Sequence, residues 1–164
     1  MPDLTATFTT DATPRQAYDA INDVRSWWSG NIAGSTDHVG AEWYYLVPDL
    51  HFSRQLVREL VPGERVVWDF TDGYLDFIAD KKEWVGTRGR FEIGEQDGQT
   101  QVTFTHEGLA SSDECFDVCH DAWTHYITVS LRERIESGAG RPRSHEDDPR
   151  AAAEARNESL TLNA

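Results

Sequence analysis

The chain has 164 residues, the size of one domain and enough to bury a core without disulfides or a structural metal. With 38% hydrophobic and 27% charged residues its composition is globular, and no apolar run approaches the roughly 20 residues of a membrane helix. The 29 acidic against 15 basic side chains give a net charge of -14, which repels phosphate backbones and anionic headgroups and so argues against nucleic-acid binding and membrane insertion.

The opening MPDLTATF carries neither the basic nor the apolar segment of a secretory signal, and the two cysteines fit reduced thiols, so a cytoplasmic location is expected. Residues 5–10 alternate Thr with Ala or Phe and predict a strand. Thr13 as N-cap and Pro14 at the first helical position start a helix, with Ala17, Ile21 and Val24 on one face. VRSWWSG closes this region and a Gly/Ser/Asp loop runs to Gly40. Short strands then follow at 41–47, 52–60, 65–71, 84–94 and 99–107, with a loop or irregular edge at 72–83. Asp97-Gly98 between the last two is a hairpin signal.

A long helix comes next. Ser111 with Glu114 makes a capping-box pattern. Cys115, Cys119, Ala122, Trp123, Tyr126, Ile127, Ser130 and Leu131 form one stripe. Gly138 and Gly140 stop the helix and Pro142 confirms the stop. Residues 141–164 read as a polar, Ala-rich tail in which Asp148-Pro149 starts at most a short helix. This order predicts an α+β domain in which the last helix covers the apolar face of one twisted antiparallel sheet. The space between helix and sheet is then the natural ligand site.

Several segments carry a resemblance: FTTDATPRQAYDAINDVRSWWSG, ELVPGERVVWDF, the EWVGTRGRFEI and TQVTFTHEGL hairpin, and the helix ECFDVCHDAWTHYITVSLRERIESGAG. Together they resemble the START-like (SRPBCC, polyketide cyclase-like) superfamily, in the branch of the heat-shock-protein-90 ATPase activator homologue. The likeness spans residues 4–140. It implies a helix-grip fold: a curved antiparallel sheet of about six strands around a long C-terminal helix, with two short helices after the first strand. The domain is then 1–140, with 141–164 as the tail.

Strand parity places Trp43 with Tyr45, Trp68 with Phe70, and Phe104 with His106, each pair on one face, while Trp123 and Tyr126 lie on the helix stripe. These rings are either plain core or the wall of a cavity. An inward His106 is a structural hydrogen-bonding residue, a polar anchor for a ligand, or a general base. Cys119 shares a helix face with Cys115; packing, a metal site with a histidine, and thiol chemistry are the alternatives, packing being the expectation. Arg54 and Arg58 face either inward or, as favoured, water. Of the adjacent Trp27 and Trp28, one is expected to pin helix to sheet and the other, by the resemblance, to gate a cavity mouth.

No nucleophile elbow, phosphate loop, dinucleotide glycine pattern or His-Glu-x-x-His occurs. The expectation is therefore non-catalytic binding of a small hydrophobic, aromatic or lipid-like molecule, with no cofactor and no metal. The binding set is Trp28, Trp43, Tyr45, Trp68, Phe70, Phe104, His106, Cys119, Trp123 and Tyr126. The alternatives are a cyclase-, dehydratase- or hydrolase-type enzyme using His106, and a stress- or chaperone-associated interaction protein. A homodimer or a protein partner is compatible with any of these.

Overall fold

A computed structural model describes residues 3–28, 32–47, 51–75, 79, 81–110 and 116–141. The first strand, β1 (Asp3–Thr10), buries every second side chain, from Leu4 to Thr10. Helix α1 (Pro14–Asn22) starts on a reciprocal cap: Thr13 Oγ1 accepts from the Gln16 N–H at 3.1 Å, and the Thr13 N–H donates to Gln16 Oε1 at 2.8 Å. One turn of 3-10 helix follows at Val24–Ser26.

Six further strands complete one antiparallel sheet: β2 (Ile32–Gly34), β3 (Glu42–Val47), β4 (His51–Val61), β5 (Arg65–Leu75), β6 (Arg88–Gln96) and β7 (Gln99–Ala110). Their order is β1-β7-β6-β5-β4-β3-β2. The seventh strand, beyond the expected six, is β2. It is only three residues long, sits at the sheet edge, and takes its register from β3, Ile32 opposite Tyr45. Strand β5 runs on to Leu75, into the stretch read as a loop. Strand β6 begins at Arg88 because residues 81–86 turn before it. The β6–β7 hairpin closes where expected: Asp97 and Gly98 have φ of 52° and 82°, the left-handed pair that a two-residue turn needs.

The long helix forms in three continuous pieces: α2 (Phe116–His125), a π-helical segment at Tyr126–Leu131, and α3 (Arg132–Ser137). Thr128 Oγ1 donates to the Thr124 carbonyl at 2.6 Å, a bond that competes with the helical ladder at this point. Within this segment Tyr126, Ile127, Ser130 and Leu131 are all buried. Ser130 Oγ donates to the Trp27 carbonyl at 2.5 Å and accepts from the Arg141 N–H at 2.7 Å, which ties helix, first tryptophan and C-terminal exit together. The left-handed Gly138 (φ 87°) ends α3. The Ser111–Glu114 cap, Cys115 and the tail beyond Arg141 lie outside the described residues. The result is a helix-grip α+β fold, with the core between the inner sheet face and the helices.

Candidate functional site

The inner sheet face is built by strand alternation. Trp43 and Tyr45 of β3, Trp68 and Phe70 of β5, and Phe104 and His106 of β7 all point inward and are buried. Trp28 occupies the middle. Its ring stacks on Tyr45 at 4.5 Å, meets Trp43 edge-on at 5.5 Å and lies 4.9 Å from Trp123 of α2. Trp43 in turn meets Trp68 at 4.9 Å, and Phe104 lies 4.3 Å from Trp123. All ten residues of the expected binding set are therefore brought to one interior.

Trp27 and Trp28, although adjacent, are both fully buried on the same side. The cause is local: both backbone N–H groups reach the Val24 carbonyl, at 3.3 and 2.8 Å, so the chain is compressed here and strand-like alternation does not apply. Trp27 Nε1 donates to the Ile21 carbonyl at 3.2 Å and its ring packs on Phe91, a pin between α1 and the sheet.

His106 is fully enclosed, and both of its ring nitrogens are in use. Trp123 Nε1, which can only donate, lies 3.2 Å from Nδ1. Nδ1 therefore accepts, and Nε2 carries the hydrogen that it donates to Thr87 Oγ1 at 2.8 Å. Thr87 passes its own hydrogen to the Trp84 carbonyl at 2.5 Å. This directional chain fixes one neutral tautomer. Burial pushes the His106 pKa down to about 3, and a second ring hydrogen would point at the Trp123 N–H. General-base chemistry and ligand anchoring each need a free nitrogen, which this arrangement does not offer.

Trp84, absent from the expected set, completes the wall. The backbone of Phe70 exchanges bonds with Thr87 and Gly86 at 2.9 Å, which clamps the 81–86 turn onto β5. Trp84 is thereby set 5.0 Å from Phe70, 4.7 Å from His51 and 5.9 Å from Trp123. Strand β4 contributes a polar inner row, His51, Ser53 and Gln55, and this parity sends Arg54 and Arg58 outward. There Arg54 pairs with Glu42 and Arg58 with Asp69.

Among the described residues these rings pack into the space expected between helix and sheet. Among the described residues a crevice of about 10 Å³, room for one water, lies between Trp28, His51 and Trp84 on one side and Cys119, Ala122, Trp123 and Tyr126 on the other. Trp28, which lines it, has a buried Nε1 with no hydrogen-bond partner, and so do Trp43 Nε1 and Trp68 Nε1 in the rings packed on Trp28, and Gln55 Oε1 on β4. Cys119 is a buried thiol. Among the described residues no three His, Cys, Asp or Glu side chains are placed to hold a metal. Likewise, no helix among them is long and apolar enough to cross a membrane.

A seven-stranded sheet gripping one long helix around an aromatic interior defines the protein as a helix-grip domain. The family model described as Activator of Hsp90 ATPase homolog 1-like protein matches residues 11–136, and the chain belongs to that family. No curated protein matches by sequence. Solved structures do. One is the Aha1 dimer from Colwellia psychrerythraea, with TM-score 0.68 and 23% identity, covering 85% of this chain and 100% of that one. A second is DynU16 of the dynemicin biosynthetic locus, with TM-score 0.60 and 15% identity over 85% of this chain and 49% of that one. A third is SSP2350 from Staphylococcus saprophyticus, with TM-score 0.63 and 13% identity over 87% and 96%. At these identities the likeness establishes the fold, one that supports ligand binding in general terms.

Proposed function

We propose that this domain, residues 1–140, binds a small hydrophobic, aromatic or lipid-like molecule between the inner sheet face and α2 without transforming it, and does so in the cytoplasm. The crevice between Trp28, His51 and Trp84 of the sheet side and Cys119 to Tyr126 of the helix carries this reading. A ligand larger than water enters by displacing rings. The wall to move is α2, because Cys119 and Trp123 are its only buried side chains and its C-terminal end is the wide π segment, whereas the sheet wall is fixed by strand pairing. Binding then comes from apolar burial at roughly 25 cal/mol per Å², less the cost of separating Trp123 from Trp28 and Trp84. Non-catalytic binding is favoured because His106 spends both nitrogens on structure.

Native mass spectrometry of freshly purified protein, followed by denaturing extraction, tests the reading. A discrete mass released on unfolding and lost in Trp123→Ala is expected. A clean apo mass, with no thermal shift across fatty acids, flavonoids and polyketide-like aromatics, overturns it.

A second reading, a chaperone-associated or self-associating protein, draws on a strip of rings on the outer sheet face. Tyr44 and Phe52 stack at 6.2 Å there, and Phe52 is opposite Tyr74 in register. Tyr44 and Tyr74 are exposed. The family description and the dimeric Colwellia structure point the same way. Association that survives Trp123→Ala and is lost in Tyr44→Ser would favour it.

A further inference from the structure

Among the buried polar atoms that lack a hydrogen-bond partner, three are of one kind and lie together. Trp28, Trp43 and Trp68 pack on one another, with ring centroids 4.9 to 6.3 Å apart, and each keeps an indole N–H without an acceptor. Gln55 is opposite Trp43 in the β3–β4 register and opposite Phe70 in β4–β5. It gives its Nε2 hydrogen to Ser53 Oγ at 2.5 Å and keeps Oε1 unpaired. Buried polar groups in native proteins are nearly always paired, so such a group calls for water or a ligand. The three clustered indole donors call for an occupant rich in acceptor oxygens.

The same interior offers no permanent charge. No Lys, Arg, Asp or Glu is among the buried residues described. Its buried histidines are His51, on the crevice wall, and His106, which Trp123 and Thr87 hold as a neutral tautomer. A carboxylate entering here would lose its hydration and meet no buried Lys or Arg among the described residues.

We infer that the occupant of this interior is an uncharged molecule bearing carbonyl or ether oxygens, taken up by the indole N–H groups of Trp28, Trp43 and Trp68, and that carboxylate-bearing lipids are rejected. This rests on the binding reading above and narrows its ligand class. Neutral indole donors stabilise a carbonyl oxygen without requiring a cation. The aromatic walls supply the burial, and the donors supply orientation.

The test uses the full chain and three probes of one size: 2-acetylnaphthalene, 2-ethylnaphthalene and 2-naphthoate. Affinities are read by quenching of tryptophan emission and by calorimetry at pH 7.5. The ketone is expected to bind about tenfold more tightly than the hydrocarbon and at least about tenfold more tightly than the acid. In Trp28→Phe, Trp43→Phe and Trp68→Phe the hydrocarbon serves as internal reference for any repacking. The ketone-to-hydrocarbon ratio is expected to fall towards one in at least one of the three. Naphthoate binding as tightly as the ketone overturns the neutral-ligand inference and leaves the binding reading standing. A ratio near one in the wild type, or unchanged in every variant that retains its near-ultraviolet circular dichroism, overturns the role of the indole donors. Binding of none of the three probes, together with a clean apo mass, overturns the binding reading and this inference with it.

Discussion

The two faces of the sheet are written by alternate residues of the same strands, and they solve opposite problems. On β6, Arg88, Arg90 and Glu92 point outward while Gly89 and Phe91 point inward. The outward set joins a lattice: Arg88 and Arg58 both hold Asp69 at 2.8 Å, Arg65 bridges Glu59 and Glu92, and Arg90 bridges Glu92 and Glu107. Both acids raise the Arg65 pKa above its ordinary value, the Glu59 hydrogen bond first. The inward set is neutral and mostly aromatic. The lesson is that, among the described residues, every Lys, Arg, Asp and Glu stays out of the buried interior. Whatever enters the interior meets rings, a neutral imidazole and unpaired dipoles, so the chain's acidity bears on partners and not on a ligand.

Breaking the inner face should have the largest effect. Trp28 joins β3, β5 and α2 through Trp43, Trp68 and Trp123, and it is fully buried. Trp28→Ala is expected to cost about 3–5 kcal/mol in urea-melt stability, the range for a large aromatic deleted from a core. A loss below about 1 kcal/mol would show that the rings collapse around the gap, and that the chamber is more plastic than its packing suggests.

The His106 chain gives the next effect, and its sign follows from linkage. The folded pKa is about 3 and the ordinary value 6.5, so below 6.5 the unfolded chain takes up a proton that the folded one refuses. Stability contributed by the neutral state is complete above about pH 6.5 and is lost as pH falls towards 3, at about 1.4 kcal/mol per pH unit. His106→Gln keeps a donor and an acceptor but no titration. Its expected signature is a cost of about 1–2 kcal/mol at pH 8, and a melting temperature that falls less steeply than the wild type's between pH 6.5 and 4. Parallel curves for the two proteins would remove His106 as the source.

Much of this contrast was legible in the sequence, because alternation is a one-dimensional signal. The pairs Trp43/Tyr45, Trp68/Phe70 and Phe104/His106 follow from parity alone, as do the outward Arg88 and Arg90. What parity does not reach is where it stops applying. The doubled bonding to the Val24 carbonyl turned Trp27 and Trp28 to the same side. Trp84 sits in a turn clamped by Phe70, and reading it as the start of a strand hid its place in the wall. A tryptophan between Lys81-Lys82-Glu83 and Gly86 was the available sign, since so large a ring in a polar turn is usually buried against something. The inward row His51, Ser53 and Gln55 is polar, so hydrophobicity alone would have placed it outside; the opposing Arg54 and Arg58 were the better guide. The π segment leaves no trace in the apolar stripe, because 3.6-residue spacing and the widened turn bury the same positions.

At the hairpin tip the effect is smaller and independent of both faces. Gly98→Ala places a side chain at φ 82° and is expected to cost about 1 kcal/mol with the sheet otherwise intact. Thermal melting of the full chain checks it, and no change would mean that the turn relaxes to another type.

The smallest effect tests the outer face. Asp69 is the best placed of its acids: its side chain is 20% exposed and it holds two arginines. The partners are more open, Arg58 at 54% and Arg88 at 37%, so water and salt screen the pairing. Arg58→Ala is accordingly expected to cost about 0.2–1 kcal/mol at low ionic strength and close to nothing at about 1 M salt, where the screening length is about 3 Å. A double-mutant cycle with Asp69→Asn isolates the pair from changes in each side chain's own packing. If the coupling persisted in high salt, the lattice would be acting as a packed layer, with the arginine stems covering apolar strand surface. The outer face would then stabilise the sheet by burial as the inner one does, and the contrast between the two would reduce to which groups remain free to meet a partner.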